Sequence, residues 1–512
     1  MNHKILLMAV SAFAFVGAVG APHHSLAQVT PGADKEVSDA DIVTAISRRL
    51  FTDRYFSPDD VQVTAADNVV TLTGIVNTLR SKDRAAQISE GVRGVRAVVN
   101  RLTIETPKKS DEQLKKDVTT ALLLDPTTDA YKLNVDASAG TVTLRGEVGS
   151  FAERDLASWV VKGITGVKEV KNEARIKVSQ SRSDAEITQD INGRLKREPF
   201  VYQDNIQVST NDGNVVLSGT VSSAAAKGRA AERAWVLGVR SVNDTELKVS
   251  TAALKESVAK RSTTPDVSDA AIQKAVEDAF LYDPRVFSFN PDVRVKRGVV
   301  TLRGTVDSLV AKEAAAQDAR NTVGVAAIVN LLQVKPPRQL SDREIADRVK
   351  SALSIFAPTI SDEVKVSVKN GAVTLSGSVE GSYQKWLAWD AASRTMGVKS
   401  ISNHVNIAET GITKLDDGKI RQNAASLMRS DAFLENDDRI EVNVKNGTAT
   451  LTGSVDTWAE SVAATQDAFL GGAKEVVNKL TVRSAPAQSL TTTRFYSSYP
   501  SLLGEYYVFP VG

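Results

Sequence analysis

The chain contains no cysteine and only four histidines, at positions 3, 23, 24 and 404. Thiolate nucleophiles, disulfide staples and Cys/His zinc sites are therefore excluded from the start. An excess of charge of either sign is also missing: 63 Lys and Arg stand against 61 Asp and Glu, a formal net charge of +2 over 512 residues. Such a balance gives no global field to draw in nucleic acid, so no nucleic-acid partner is expected. Mean hydropathy of −0.16 leaves no room for a polytopic membrane protein. What is present is an ordinary globular mix, 42% hydrophobic and 24% charged.

Long apolar runs are confined to the amino terminus. Lys4 precedes ILLMAVSAFAFVGAVG, and Ser25-Leu26-Ala27 supplies a small-x-small cleavage signature before Gln28. Residues 1–27 read as a secretory signal peptide cleaved near Ala27. Cleavage would leave His404 as the last histidine. A cysteine-free exported chain is indifferent to the redox state of its compartment, and a bacterial periplasm fits best.

The body of the chain is a repeat. VVTLTG, TVTLRG, NVVLSG, VVTLRG, AVTLSG and TATLTG end at Gly74, Gly146, Gly219, Gly304, Gly377 and Gly453. A second glycine follows 19 or 20 residues later, at Gly94, Gly166, Gly238, Gly324, Gly397 and Gly472. Upstream, Ser-Asp pairs at Ser38, Ser110, Ser183, Ser268 and Ser341, and Asp416-Asp417 in the sixth copy, predict helix N-caps. Apolar residues four apart, such as Ile187, Ile191 and Leu195, predict one buried helix face. Asp125-Pro126, Glu198-Pro199, Asp283-Pro284 and Ala357-Pro358 predict where that helix stops. Alternating strands joined at Asn370-Gly371 predict a hairpin, followed by an alanine-rich helix and a last strand. The expected fold is α+β: six tandem α-β-β-α-β modules, each a three-stranded sheet packed with two helices. Their boundaries fall at 37–106, 110–178, 183–250, 267–335, 341–409 and 416–483, with a linker at 251–266 and an aromatic-rich tail at 484–512.

The repeated glycines read as structural, the first set ending a strand where a side chain would crowd the next helix, the second forming the helix C-cap. The Asn column after them (Asn100, Asn172, Asn330, Asn403, Asn478) is expected to satisfy that turn. His404 falls in a variable column and reads as a surface histidine. No catalytic residue, metal ligand or cofactor site stands out from the repeat, and the chain reads as non-enzymatic.

Units of this length, with the v-T-L-x-G-x-V strand and the G-V-x-x-V-x-N ending, resemble the BON domain of bacterial osmotically induced periplasmic and nodulation proteins. The resemblance covers about residues 37–483. It implies an exported, envelope-associated protein, periplasmic or peripheral on the outer membrane. Phospholipid surfaces, anionic ones above all, are the implied partner, in support of envelope integrity or osmotic-stress tolerance. The alternative it implies is a protein-interaction scaffold or an adjunct of an envelope channel or secretin. Candidate surface contacts are Trp159 and Trp386, which fall in mostly polar columns of the second helix, and the basic cluster Arg80, Lys82 and Arg84. Trp159 and Trp386 equally suit contacts between neighbouring modules.

Overall fold

A computed structural model describes residues 37–483, apart from breaks at 54–59, 129–131, 178–181, 200, 202–204, 251–266, 287–288, 381, 409–414 and 435–436, together with 493–496. The expected signal peptide, the 251–266 linker and all of the tail except 493–496 lie outside the described residues. Twelve helices of the repeat fall in chain order. The first helices of the modules are α1 (Asp39–Asp53), α3 (Asp111–Leu124), α5 (Asp184–Arg197), α7 (Asp269–Phe280), α9 (Asp342–Phe356) and α11 (Asp417–Ser430). The second helices are α2 (Leu79–Glu90), α4 (Phe151–Lys162), α6 (Ala224–Arg233), α8 (Leu309–Arg320), α10 (Ser382–Ser393) and α12 (Trp458–Leu470).

Each module is the predicted α-β-β-α-β unit. In module 5 the hairpin pairs Val364–Lys369 with Ala372–Val379 antiparallel, and Ser400–Ile407 then adds parallel to the second strand. The parallel pairing requires a crossover, which α10 supplies. Asn370 at φ 54° and Gly371 at φ 78° form the expected positive-φ turn. The apolar stripes point inward: Ile345, Val349 and Leu353 are at most 2% exposed, against Val373 and Leu375 of the sheet.

The Ser-Asp pair does more than cap. Ser341 and Glu344 form the full capping box, while Asp342 accepts the backbone N–H groups of Asn370 and Gly371 at 2.8 and 2.9 Å. The aspartate at the first helical position thus clasps the hairpin turn, and Asp184, Asp269 and Asp417 do the same in their modules. The spacing of about 28 residues between pair and turn is set by this contact.

Three expectations need correction. A Cβ at Gly377 would sit 2.0 Å from the Glu363 carbonyl oxygen, so this glycine makes room for the neighbouring strand and not for a helix. The second-set glycines are not the helix C-caps: Gly91 and Gly163 cap α2 and α4, and Gly94 lies three residues on at φ 91°, packed on Val37, just before the first helix, and on Ile42 within it. The asparagines also serve differently. Asn403 donates to the Lys385 carbonyl at 3.1 Å and accepts from Val405 N–H at 3.2 Å, tying the last strand to the second helix.

The modules pack in pairs: first with sixth, second with fifth, third with fourth. One backbone hydrogen bond recurs at all three interfaces. The residue before a second-set glycine (Arg93, Met396, Val323) donates to the last carbonyl before an acidic residue closing a partner's first helix (Ser430, Leu124, Arg197), at 2.8, 3.2 and 3.2 Å. The cores of modules 2 and 5 merge into one cluster. Residues Thr493–Tyr496 of the tail extend the module 6 sheet as an antiparallel edge strand on Glu475–Asn478.

Candidate functional site

Among the candidate contacts, Arg80 is the most displaced from expectation. Thr78 caps α2, and Arg80, in the first turn, points away from its own module. It is 9% exposed, donates to the Trp159 carbonyl at 3.2 Å and pairs with Asp390 at 3.3 Å, while its guanidinium carbon lies 3.6 Å from the Trp159 ring centroid. Arg394 approaches the same ring at 3.9 Å and pairs with Asp390 at 3.0 Å and Asp125 at 3.1 Å. A buried chain Asp125–Arg394–Asp390–Arg80 therefore locks modules 2, 5 and 1 together. Desolvated cation–π contacts of this kind contribute about 2 kcal/mol each.

Arg80 is thus an interior residue. Trp159 is half-buried against the merged core. Trp386 is half-buried with Arg84 at 5.8 Å from its ring centroid, again between modules 5 and 1. Lys82 donates to the Leu102 carbonyl of its own module at 2.7 Å. Asp83, which interrupts the basic cluster, pairs with Lys162 of module 2 at 2.9 Å.

The sequence carried a signal for this. Six residues after the strand glycine the copies hold Ala152, Ala225, Val310, Tyr383 and Ala459 where module 1 has Arg80. A charge in an otherwise apolar column marks a buried partner. The column of Trp159 misleads in the opposite sense: Asp390 and Gln466 are polar yet at most 8% exposed, and Asp390 meets Arg80 of module 1 instead of solvent.

A second convergence lies where modules 2, 3 and 4 meet. A cavity of about 120 Å³ is walled by α4, the ends of α5, α6 and α7, and α8. Phe151 and Trp235 stack at 3.5 Å between ring centroids, and the Arg194 guanidinium lies 4.7 Å from the Tyr282 centroid. Glu198, fully buried, takes Arg229 at 2.8 Å and Arg233 at 2.6 Å. Burial pushes its carboxyl up, and the two guanidiniums outweigh that and bring it down to about 2. Asp155 moves the other way, pushed up to about 7 by burial, with Glu232 and Asp83 nearby adding to the shift. Burial also raises Glu232, and raises Asp318 well above the usual carboxylate range.

Outward-facing sheet surfaces complete the picture. In module 4, Arg294 and Lys296 alternate with inward Val293 and Val295 on one strand, and Arg303 ends the next. On the third strand Val329 is 42% exposed, and Leu331 just beyond it is 50% exposed. Thr301 lies opposite both Arg294 and Val329, so the basic and apolar residues share one face. Asp292, the acid on this face, pairs with Arg294 at 3.1 Å. His404 is exposed on the corresponding face of module 5. Among the described residues there is no cluster of His, Cys, Asp and Glu able to hold a metal ion, and no helix long and apolar enough to cross a membrane.

The repeat, the fold and these surfaces define a tandem array of small α+β modules. The BON domain model matches the chain at residues 38–106, 110–178, 183–251, 268–336, 341–409 and 416–484. The chain belongs to the BON domain family, with six copies. It is 28% identical over 148 residues to osmotically-inducible protein Y of Escherichia coli, covering 28% of this chain and 74% of that protein. It is 28% identical over 137 residues to the outer membrane lipoprotein DolP of Haemophilus influenzae, covering 26% and 71%. A 21 kDa hemolysin of Actinobacillus pleuropneumoniae is 33% identical over 115 residues, covering 22% and 59%. Among solved structures, the C-terminal domain of CdsD, a structural protein of the Chlamydia trachomatis type III secretion system, is 16% identical with a TM-score of 0.12, covering 42% of this chain and all of that one.

Proposed function

We propose that this chain is an exported envelope protein that binds anionic phospholipid surfaces and supports envelope integrity, including under osmotic stress. The observation that carries the reading is the outward face of the module 4 sheet, where Arg294, Lys296 and Arg303 surround exposed Val329 and Leu331. Basic residues near an anionic surface contribute about 1 kcal/mol each, and the apolar pair can enter the headgroup boundary. The names of the relatives, an outer membrane lipoprotein and an osmotically inducible protein, agree with an envelope location. The amino-terminal leader is what would bring the chain to the periplasm.

Co-sedimentation of the protein lacking residues 1–27 with phosphatidylglycerol-containing vesicles at low salt is the direct test. Binding that weakens with salt and is absent on phosphatidylcholine vesicles is expected. No binding to the anionic vesicles at low salt overturns the proposal.

A further inference from the structure

The cavity between modules 2, 3 and 4 has a chemistry that the lipid-facing surface does not use. Its walls carry four arginines, Arg194, Arg197, Arg233 and Arg285, against five carboxylates. Three of the arginines are engaged in ion pairs: Arg233 with Glu198, Arg285 with Asp283 at 2.5 Å and Arg197 with Asp278 at 3.6 Å. Arg194 donates to the Trp235 carbonyl at 3.0 Å and covers Tyr282. The carboxylates left over are Asp155, Glu232 and Asp318, one from the second helix of each module. Glu232 has Arg233 at 3.7 Å. One carboxylate oxygen of Asp318 is sealed from solvent without a hydrogen-bond partner.

A buried carboxylate without a donor costs a few kcal/mol unless it gains a proton or a cation. Burial raises all three groups against the pull of the neighbouring basic side chains. The remaining wall is apolar and aromatic, with Phe151, Trp235 and Tyr282 beside Leu156, Ala275 and Ala279. A bare metal ion would find no use for such a wall, and an anion would meet the unsatisfied carboxylate oxygen of Asp318. A compact organic cation satisfies both halves, its N–H groups donating to the carboxylates and its alkyl part lying on the rings.

We propose that this inter-module cavity binds a small organic ammonium ion, held by Asp318 and Asp155 against the Trp235 and Tyr282 rings. The ligand would touch three modules at once, so its binding would stiffen the junction that fixes module 4 on modules 2 and 3.

Isothermal titration of the protein lacking residues 1–27 with n-butylammonium chloride, against sodium chloride at equal ionic strength, tests this. A saturable one-to-one heat is expected with butylammonium and none with sodium. Asp318→Asn should weaken binding at least tenfold. Ala279→Leu, which fills the cavity and leaves every charge in place, should abolish it, and provides a second measurement where Asp318→Asn fails to fold. The proposal is overturned by the absence of a saturable heat, by an equal response to sodium, or by unchanged affinity in either folded variant.

Discussion

The guanidinium of Arg80 lies 3.6 Å from the centroid of the Trp159 ring, so a side chain of module 1 is seated on module 2 while its charge is met by Asp390 of module 5. This three-way contact makes Arg80 a keystone of the assembly. Arg80→Ala should destabilise the protein by about 3 kcal/mol, because it leaves Asp390 with Arg394 as its remaining buried partner. Denaturant unfolding followed by fluorescence measures the loss. A change under 1 kcal/mol would show that the pair only breaks even with its desolvation.

Two glycine substitutions should act in opposite directions. Gly377→Ala places a Cβ 2.0 Å from the Glu363 carbonyl at φ 132°, and should cost more than ~2 kcal/mol. Gly228→Ala lies on the exposed face of α6 with no atom within 4 Å of the new Cβ, and should stabilise by roughly 0.5–1 kcal/mol. Paired thermal melts of the two variants decide both signs.

The buried carboxylates give the stability a pH dependence with two opposed limbs. Glu198, depressed from 4.5 to about 2, contributes stability that is present above 4.5 and lost as pH falls toward 2. Asp155, raised from 3.8 to about 7, contributes stability that is full below 3.8 and lost as pH rises through 7. Glu90, pushed up to about 7 by burial and then by Asp83, acts in the same sense. Stability should therefore decline between about pH 4 and pH 7, and Asp155→Asn should flatten that decline. Urea midpoints taken across this range test it, and an identical slope in the variant would refute the assignment to Asp155.

Leu331 is half exposed on the module 4 sheet face. Leu331→Asp should leave the melting temperature within a degree or two and reduce vesicle co-sedimentation severalfold, since it sets a negative charge among Arg294, Lys296 and Arg303. Unchanged vesicle binding in a folded variant would move the contact to another face.

Much of a single module was legible in the sequence. The stripe Ile345, Val349, Leu353, the Asn370-Gly371 turn and the alternation of the strands are local patterns with periods of 3.6 and 2, and each fixes its own element. The proline stops marked helix ends at Leu124, Arg197 and Phe356, while α7 ended three residues before Asp283. The role of Asp342 was hidden because its partners lie 28 residues away, and capping alone already explained the residue. The glycine sets were recognised as structural with the wrong neighbours, since the atoms a Cβ would strike belong to another strand or to the first helix.

The sequence by itself determined that there are six modules, what each looks like, and that Cys/His chemistry is absent. Only the tertiary structure decided which polar residues are buried. Arg80, Asp390, Arg394 and Asp125 look solvated in any single module, and become interior when three modules close on one another. No local period encodes that, because the energy of a buried charge depends on whether a partner from a distant part of the chain arrives within about 3 Å.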